Sequence, residues 1–245
     1  MYSHCKNRKE FKQDFYNHSN KIKSEGYYLN GKPNDTLKRF LENGKINSIE
    51  IFNDKGVLNG ESHYFFKSGH LSEIVNFNNG IESGKYISYR ENGNLEKILF
   101  MFNGKRIGDA YFYDERGILN FYNFSDFGNQ GLLLCKYDTT GKLIKEDGDF
   151  YFVDSMSIQK GLKETDTAKI FLLISHRPQT SLSLWVDNIS KDGKIIDTRE
   201  LNSKKELLFF NDLLPQNTDS IRIRGSRFDS LSKVTKTFII MHNIN

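Results

Sequence analysis

Apolar and aromatic side chains recur along the middle of this chain at a fixed spacing of 24 residues. Four series keep this period: two of glycine, one of phenylalanine or tyrosine, and one of leucine. Their members are Gly60, Gly84 and Gly108; Gly69, Gly93, Gly117 and Gly141; Phe65, Tyr89, Tyr113 and Tyr137; and Leu71, Leu95, Leu119 and Leu143. An earlier copy around Gly44 is offset by one residue. Self-similarity at such a period predicts a repeat architecture, in which each unit packs on its neighbours.

Each repeat has the pattern of a β-hairpin. In the central copy we predict a strand over residues 85–90, a turn over 91–94 and a return strand over 95–102. Asn103-Gly104 then begins the connection to the next hairpin, because Asn-Gly suits turn positions with positive φ.

The length of the turn decides which side chains share a face. A two-residue loop would pair Arg90 with Leu95. A three-residue loop with a left-handed Gly93 pairs Arg90 with Asn94 and places Tyr89 beside Leu95. We predict the three-residue loop, because it brings the recurring aromatic and leucine positions onto one face as a continuous spine. A shift of one residue would send one series to the opposite face.

From Phe150 onward the period is lost and the pattern changes to short strands with turn signals between them. The predicted strands include residues 168–175, 181–188, 195–201, 206–210, 219–225 and 234–242. About seven short strands in about 95 residues suggest an Ig-like or fibronectin-like β-sandwich, and the lack of a cysteine pair excludes an antibody-type domain. Trp185 is interpreted as a core residue of this part.

The predicted fold class is therefore all-β, with an elongated antiparallel sheet of repeated hairpins followed by a β-sandwich. The domains are a basic N-terminal tail over residues 1–25, a hairpin-repeat domain over 26–149 and a sandwich domain over 150–245. Composition agrees: aromatic residues make up 13% of the chain, with 20 Phe, 12 Tyr, one Trp, 19 Gly and only 3 Pro. Such residues favour strands and turns.

Charge and hydropathy argue against two classes of partner. The net charge of +4 is mild and no segment concentrates the positive charge that binding to phosphate backbones needs, so nucleic acid is not expected. No run of about 18 apolar residues exists, so no transmembrane segment is predicted.

Nothing in the sequence has the pattern of a catalytic, cofactor or metal site, and we expect a protein that is not an enzyme. The six histidines lack metal-ligand spacing; His63 and His70 lie in one hairpin without a third ligand nearby. The acidic run 146–149 lacks the further oxygen ligands of a calcium loop and is interpreted as a solvated linker. Cys135 has no local signature of an activated thiol. Arg222, Arg224 and Arg227 form a small basic edge.

The start of the chain, MYSHCKNRKE, has two interpretations. It is either an ordinary basic tail on a bacterial cytoplasmic protein, or the tether of a bacterial lipoprotein whose signal has been removed. Under the second interpretation Cys5 would carry the lipid anchor and the protein would lie at the cell envelope. Cys5 and Cys135 are the only cysteines and do not form a disulfide framework.

The stretch GKYISYRENGNLEKILFMFNGK, residues 84–105, resembles the MORN-repeat variant of bacterial YwqK-like proteins, which are commonly described as antitoxin components of toxin–antitoxin pairs. The resemblance covers about residues 26–149. The chain lacks the recurrent Trp and denser glycines of the better-known MORN pattern, so the lipid-binding role of some of those proteins is not carried over. The resemblance implies a meandering sheet of hairpins used as a recognition surface.

Two functions follow from these observations. The first is a protein-binding module, specifically an antitoxin or immunity protein that occludes a toxin with its repeat sheet. Aromatic and arginine side chains outside the spine are its candidate contacts; they are Tyr64, Tyr86, Arg90, Phe112 and Tyr122. The alternative is an envelope-tethered lipoprotein with a structural or adhesive role. A hydrolase acting on a sugar or lipid across the aromatic face is the least favoured function.

Overall fold

The computed structural model describes residues 9–126, 131–148, 151–159, 167–201, 207–213, 218–230 and 232–243. Strands make up 70% of the structure, and no helix occurs in the described residues. The chain divides into two compact units. The first comprises residues 1–123 and 135–146, and the second comprises residues 124–134 and 147–245. The predicted boundary between Asp149 and Phe150 lies outside the described residues.

The first twelve strands form one antiparallel sheet, in which each strand pairs with the strands before and after it in sequence. They are β1 (Lys9–Phe15), β2 (Ile22–Leu29), β3 (Lys32–Phe40), β4 (Ile46–Phe52), β5 (Gly60–Phe65), β6 (Leu71–Asn78), β7 (Ile81–Tyr89), β8 (Leu95–Phe102), β9 (Lys105–Tyr113), β10 (Leu119–Ser125), β11 (Gly131–Tyr137) and β12 (Leu143–Gly148). From β5 onward every odd strand ends at a member of the aromatic series, and every even strand begins at a member of the leucine series. The predicted sheet of repeated hairpins is confirmed.

The central hairpin has the predicted three-residue loop. The Arg90 amide donates to the Asn94 carbonyl at 2.8 Å, and Gly93 is left-handed with φ 85°. Tyr89 is paired directly with Leu95, so the aromatic and leucine positions share a face. One extra residue, Glu96, then forms a β-bulge before the regular pairing resumes.

Gly93 provides a test of why glycine recurs at the hairpin tip. No atom lies within 4 Å of the position where a Cβ would be, so a substitution there strains only the backbone. Gly93→Ala is expected to destabilise the protein by about 1 kcal/mol, since an L-residue with a Cβ disfavours positive φ. Gly93→Asn is expected to cost less, because Asn30, Asn79 and Asn103 already adopt φ near 50° in this chain. Urea denaturation of both variants checks this, and equal losses would contradict it.

The sheet begins one hairpin earlier than predicted. Residues 9–15, which we assigned to a basic tail over residues 1–25, form β1. Strand β2 begins at Ile22, which is also within the predicted tail. The tip between these strands, residues 16–21, contains no glycine and is one residue longer than the later tips, so the repeat pattern was not visible. It closes instead through the Tyr16 amide and the Lys21 carbonyl at 3.0 Å. The acidic run is also corrected: its first three residues belong to β12 rather than to a linker.

The second unit contains seven further strands. They are β13 (Tyr151–Gln159), β14 (Thr167–Ile174), β15 (Thr180–Ser190), β16 (Ile195–Leu201), β17 (Leu207–Leu213), β18 (Thr218–Asp229) and β19 (Thr235–Asn243). They form a three-stranded sheet in the order β13-β14-β17 and a four-stranded sheet in the order β16-β15-β18-β19. Strands therefore occur at all the predicted positions.

One face of the four-stranded sheet is buried at its two central strands, β15 and β18. Leu184 and Val186 of β15, and Ile221 and Ile223 of β18, are at most 1% exposed. Trp185 alternates with these residues and lies on the other face, where it is only half-buried. Trp185 therefore lies outside the buried apolar face formed by these four residues.

Candidate functional site

The central strands of the long sheet have two chemically different faces. Residues paired directly across strands share a face. One face, which we name the spine face, carries the recurring aromatic and leucine positions and a row in which Ile49, His63, Ile74, Ile87 and Ile98 are paired in turn. This face is largely apolar and half-buried.

The opposite face, which we name the contact face, carries a mixture of aromatic, polar, charged and aliphatic side chains. One row across strands β4 to β9 consists of Ser48, Tyr64, Glu73, Ser88, Lys97 and Phe112. The adjacent row consists of Ser62, Val75, Tyr86, Leu99 and Ala110. Three of the five candidate contacts, Tyr64, Tyr86 and Phe112, are therefore brought together on one face, each half-buried.

Tyr86 lies at the centre of the contact face. Its hydroxyl donates to Glu73 Oε1 at 2.8 Å, and Lys97 Nζ lies 5.4 Å from the centre of its ring. Lys97 is in turn paired with Phe112, whose ring centre lies 5.8 Å from that of Phe121. The Tyr86 ring is thus held between Glu73 and Lys97, whereas Phe112 packs against Phe121.

The phenols of this face stay neutral near pH 7. Partial burial raises the pKa of Tyr64, and the nearby carboxylates of Glu50 and Glu73 raise it further. Burial also raises the pKa of Tyr86, and its hydrogen bond to Glu73 adds to the effect because the carboxylate favours the protonated phenol. Tyr64 therefore presents a hydroxyl that can donate and accept hydrogen bonds, whereas the Tyr86 hydroxyl, which donates to Glu73, can accept one.

Arg90, the fourth candidate contact, lies at a hairpin tip. Its guanidinium group donates hydrogen bonds to other residues of the same sheet. Nη1 donates to Glu96 Oε1 at 3.1 Å and Nη2 donates to the Tyr113 carbonyl at 3.0 Å. Ser88 donates to the other oxygen of the same carboxylate at 2.9 Å. Arg90 therefore ties its hairpin to the following one.

Similar ties join the other hairpin tips. In four copies the residue just before the second strand donates its side chain to a backbone carbonyl of the next tip: Lys21 to Glu42, Lys45 to Ser68, His70 to Glu91, and Asn94 to Glu115. We did not predict these ties, although a polar residue at this position of each of the four copies was a visible signal.

An open groove of about 380 Å³ lies between two of these tips. His70, Leu71, Tyr89, Asn92 and Gly93 line it. His70 Nδ1 is held at 2.7 Å from the Glu91 carbonyl, so the groove is a product of the tip ties. It brings together neither a nucleophile with a base nor a pair of carboxylates, the combinations on which hydrolysis usually depends.

Tyr122, the fifth candidate contact, is fully buried. Its ring centre lies 5.2 Å from that of Tyr111, which is paired with Ile98 on the spine face. Its hydroxyl donates to Asp109 Oδ1. Tyr122 is therefore on the other side of the sheet from Phe112 and is not part of the contact face. Cys5, the residue of the lipoprotein alternative, lies outside the described residues.

The second unit contains an ionic cluster that we did not predict. The fully buried Asp187 accepts from Arg222 Nε at 2.8 Å, from Arg224 Nε at 3.0 Å and from Thr198 Oγ1 at 2.7 Å. Burial alone would raise the pKa of this carboxyl, but the hydrogen bonds from Arg224, Thr198 and Arg222 outweigh burial and lower it. Arg224 also lies over the Trp185 ring at 4.8 Å.

This cluster corrects the predicted basic edge. Only Arg222 and Arg224 share a face, and Asp187 offsets part of their charge. Arg227 lies on the opposite face and is 2% exposed. The arrangement holds β15 and β18 together and leaves a smaller positive surface than the sequence suggested.

Among the described residues, no group of three or more His, Cys, Asp or Glu side chains is arranged to hold a metal ion. His63 Nε2 lies 2.8 Å from Glu61 Oε1, whereas His70 is bound to the Glu91 carbonyl, so the two histidines have different partners. The same part of the chain includes no helix long and apolar enough to cross a membrane.

The geometry of the sheet is therefore the main guide to function. No protein-family model matches the sequence, and no curated protein matches it either.

Proposed function

We propose that this chain is a non-catalytic protein-binding module built from MORN-like hairpin repeats, and that it acts as an antitoxin or immunity protein by covering a toxin with its contact face. The observation that carries the proposal is that Tyr64, Tyr86 and Phe112 lie together on one face of strands β5, β7 and β9. Tyrosine and phenylalanine combine a large contact area with few rotatable bonds, and aromatic residues are enriched at protein interfaces.

The charges around Tyr86 favour a partner with basic groups. The carboxylates of Glu50, Glu73, Glu82 and Glu96 all raise the pKa of Tyr64 or Tyr86. Arg39 pairs with Glu50 at 3.1 Å, and Arg90 pairs with Glu96. Close to Tyr86, Glu73 and Glu82 then leave a negative balance that Lys97 only partly offsets, while Arg106, paired with Met101 on the same face, adds a further positive charge. Complementary charge would speed the encounter and exclude acidic partners.

For the C-terminal part we propose that the three-stranded and four-stranded sheets pack face to face as a β-sandwich. The support is the burial of one face of the two central strands, where Leu184, Ile221 and Ile223 have no exposed surface. An apolar sheet face of this kind is normally covered by a second layer about 10 Å away.

The test of the binding function is neutralisation of a toxic neighbour. The product of the adjacent gene is expressed alone and together with this chain, and growth is measured. We expect harm when it is expressed alone and rescue by the wild-type chain. The variant Tyr64→Ala/Tyr86→Ala/Phe112→Ala is expected to lose rescue and to bind the purified neighbour at least about 100-fold more weakly, because aromatic anchors dominate interface energies.

The matched control is Ile144→Ala, which removes a side chain that is 65% exposed and lies in β12 rather than among the contact-face rows. It is expected to rescue growth as the wild type does. A harmless neighbour, or full rescue by the triple variant in its folded state, would overturn the proposal.

A further inference from the structure

Within the described residues, the outer edge of β1 lacks the partner strand that the equivalent strands have. In the interior of the sheet, the first strand of each hairpin pairs with the second strand of the preceding hairpin, as Ile87 does with Ile74. Gln13 is the equivalent residue of β1, and in the described part of the chain no strand lies on that side. The Tyr16 amide points to β2, so by alternation the amides and carbonyls of Phe11, Gln13 and Phe15 point outward. Such an edge can accept another strand.

Large aromatic side chains are concentrated at this edge. Phe11 is 54% exposed, Phe15 is 50% exposed and Tyr27, on the neighbouring strand, is 44% exposed. Phe11 is paired with Tyr27, with ring centres 5.4 Å apart, and Phe15 is paired with Ile22. All of these lie on the spine face. An added strand would cover the two phenylalanines and continue the spine face.

The sequence of β1, KEFKQDF, is complementary to itself in one antiparallel register. When two copies are centred on Gln13, Phe11 of each lies opposite Phe15 of the other, and Lys12 of each lies opposite Asp14 of the other. Each contact occurs twice because of the two-fold symmetry.

The neighbouring registers are poorer. Centring on Lys12 would place two lysines opposite each other and Glu10 opposite Asp14, and like charges in directly opposed positions are destabilising. Centring on Phe11 pairs Glu10 with Lys12 but leaves Phe15 opposite a residue before β1. Of these three registers, only the one centred on Gln13 places Phe11 opposite Phe15 and Lys12 opposite Asp14.

We propose that β1 pairs antiparallel with β1 of a second copy of this chain, in the register centred on Gln13, to form a continuous two-fold sheet. Lysine on an exposed edge usually opposes such pairing, but here the charge of Lys12 meets Asp14 of the second copy. At present Lys12 binds Glu10 at 2.8 Å and lies 5.4 Å from the centre of the Tyr28 ring, and Asp14 accepts from Ser24 at 3.0 Å. The first contact is solvent-exposed, so Lys12 can exchange it.

Sedimentation velocity of the full chain over a range of concentrations tests the proposal. The wild type is expected to form dimers. Lys12→Asp and Asp14→Lys each replace two attractive pairs by two repulsive ones, and each is expected to weaken dimerisation by at least about tenfold. Mixing the two single variants is expected to restore association as a heterodimer, and the double variant is expected to restore the homodimer, because both combinations recreate opposite charges across the edge.

A second measurement fixes the register. In a Cys5→Ser background, Gln13→Cys is expected to form an intermolecular disulfide readily, since two-fold pairing would place the two Cα atoms about 5.5 Å apart. Lys9→Cys, four residues from the axis, is expected to remain reduced.

Three results would overturn the proposal: a wild-type monomer at all concentrations, single variants that dimerise as the wild type does, or a mixture that stays monomeric. Circular dichroism establishes that the variants are folded. The contact-face triple variant is expected to keep dimerising, so failure of toxin binding and failure of this pairing are distinguishable.

Discussion

Deleting residues 81–104, one whole repeat, is expected to leave a folded sheet with one fewer hairpin, whereas deleting residues 81–92 is expected to unfold the first unit. The full deletion joins Gly80 to Lys105 without changing the turn. Asn79-Gly80 has φ values of 49° and 82°, and Asn103-Gly104, which normally precedes Lys105, has 49° and 74°. The chain therefore enters β9 through the same type of turn.

The contacts across the new junction are compatible as well. Strand β6 would lie beside β9 in place of β7, so Ile74 would face Tyr111 on the spine face and Glu73 would face Phe112 on the contact face. His70 would meet the carbonyl of Glu115, which already accepts a side-chain hydrogen bond from Asn94. The stability of such arrays is approximately the sum of the intrinsic stability of each repeat and the interaction between neighbouring repeats. Losing one repeat therefore removes the contribution of that repeat and of one interface between repeats.

The shorter deletion removes a single strand and reverses the direction of every later strand. Leu95 and Leu119 would then lie at the opposite edge of the sheet from Leu71, and the spine would be interrupted. Circular dichroism and urea denaturation of both variants decide the point. The full-repeat variant is expected to unfold cooperatively with a reduced m-value, because less surface is exposed on unfolding. If the two deletion variants unfolded alike in urea, the idea that the repeat is the unit of folding would be contradicted.

The hairpin register could be predicted from sequence because two independent signals agree. Glycine at the tip demands a left-handed residue, and the aromatic and leucine series must share a face; Gly93, Tyr89 and Leu95 satisfy both. Where the glycine is missing, as in the tip of residues 16–21, the signal disappears although the hairpin persists. There the tip is closed by main-chain hydrogen bonding, which no particular residue type in the sequence indicates.

The candidate contacts were predicted less well because of the β-bulge. Strict alternation from Leu119 places Tyr122 on the contact face. In the central hairpin the bulge adds one residue after Leu95 and shifts the alternation that follows. The ring contacts of Tyr122 with Tyr111 and of Phe121 with Phe112 show the same shift in the next copy. A prediction that placed the bulge after each leucine would have selected Phe121 instead of Tyr122.

In the second unit, the sequence predicted the strand β15 but not the ionic chemistry around it. Asp187 meets Arg222 and Arg224 from a strand more than 30 residues away, and the pairing of β15 with β18 alone brings them together. Sequence periodicity has no information on such non-local contacts, so the isolated Asp187 had no visible partner.

Asp229→Ala is expected to destabilise the second unit by about 3–5 kcal/mol, the cost typical of breaking a buried ion pair. Asp229 accepts a hydrogen bond from Arg177 Nη2, and the Arg177 side chain is 1% exposed. Removing the carboxylate leaves a buried guanidinium without this counter-charge. Trp185 is the only tryptophan and lies in this unit, so its fluorescence during urea denaturation follows the loss.

Two further variants distinguish the effect of breaking a buried ion pair from the effect of removing a charge at the surface. Asp192→Ala breaks the Asp192–Lys194 pair, whose side chains are 58% and 82% exposed, and is expected to leave the midpoint unchanged because solvent screens that pair. Arg177→Met/Asp229→Ala removes both buried charges and is expected to be more stable than Asp229→Ala alone, because replacing a whole buried pair by an apolar group is often nearly neutral. A double variant less stable than Asp229→Ala would show that Arg177 contributes mainly through its other contacts.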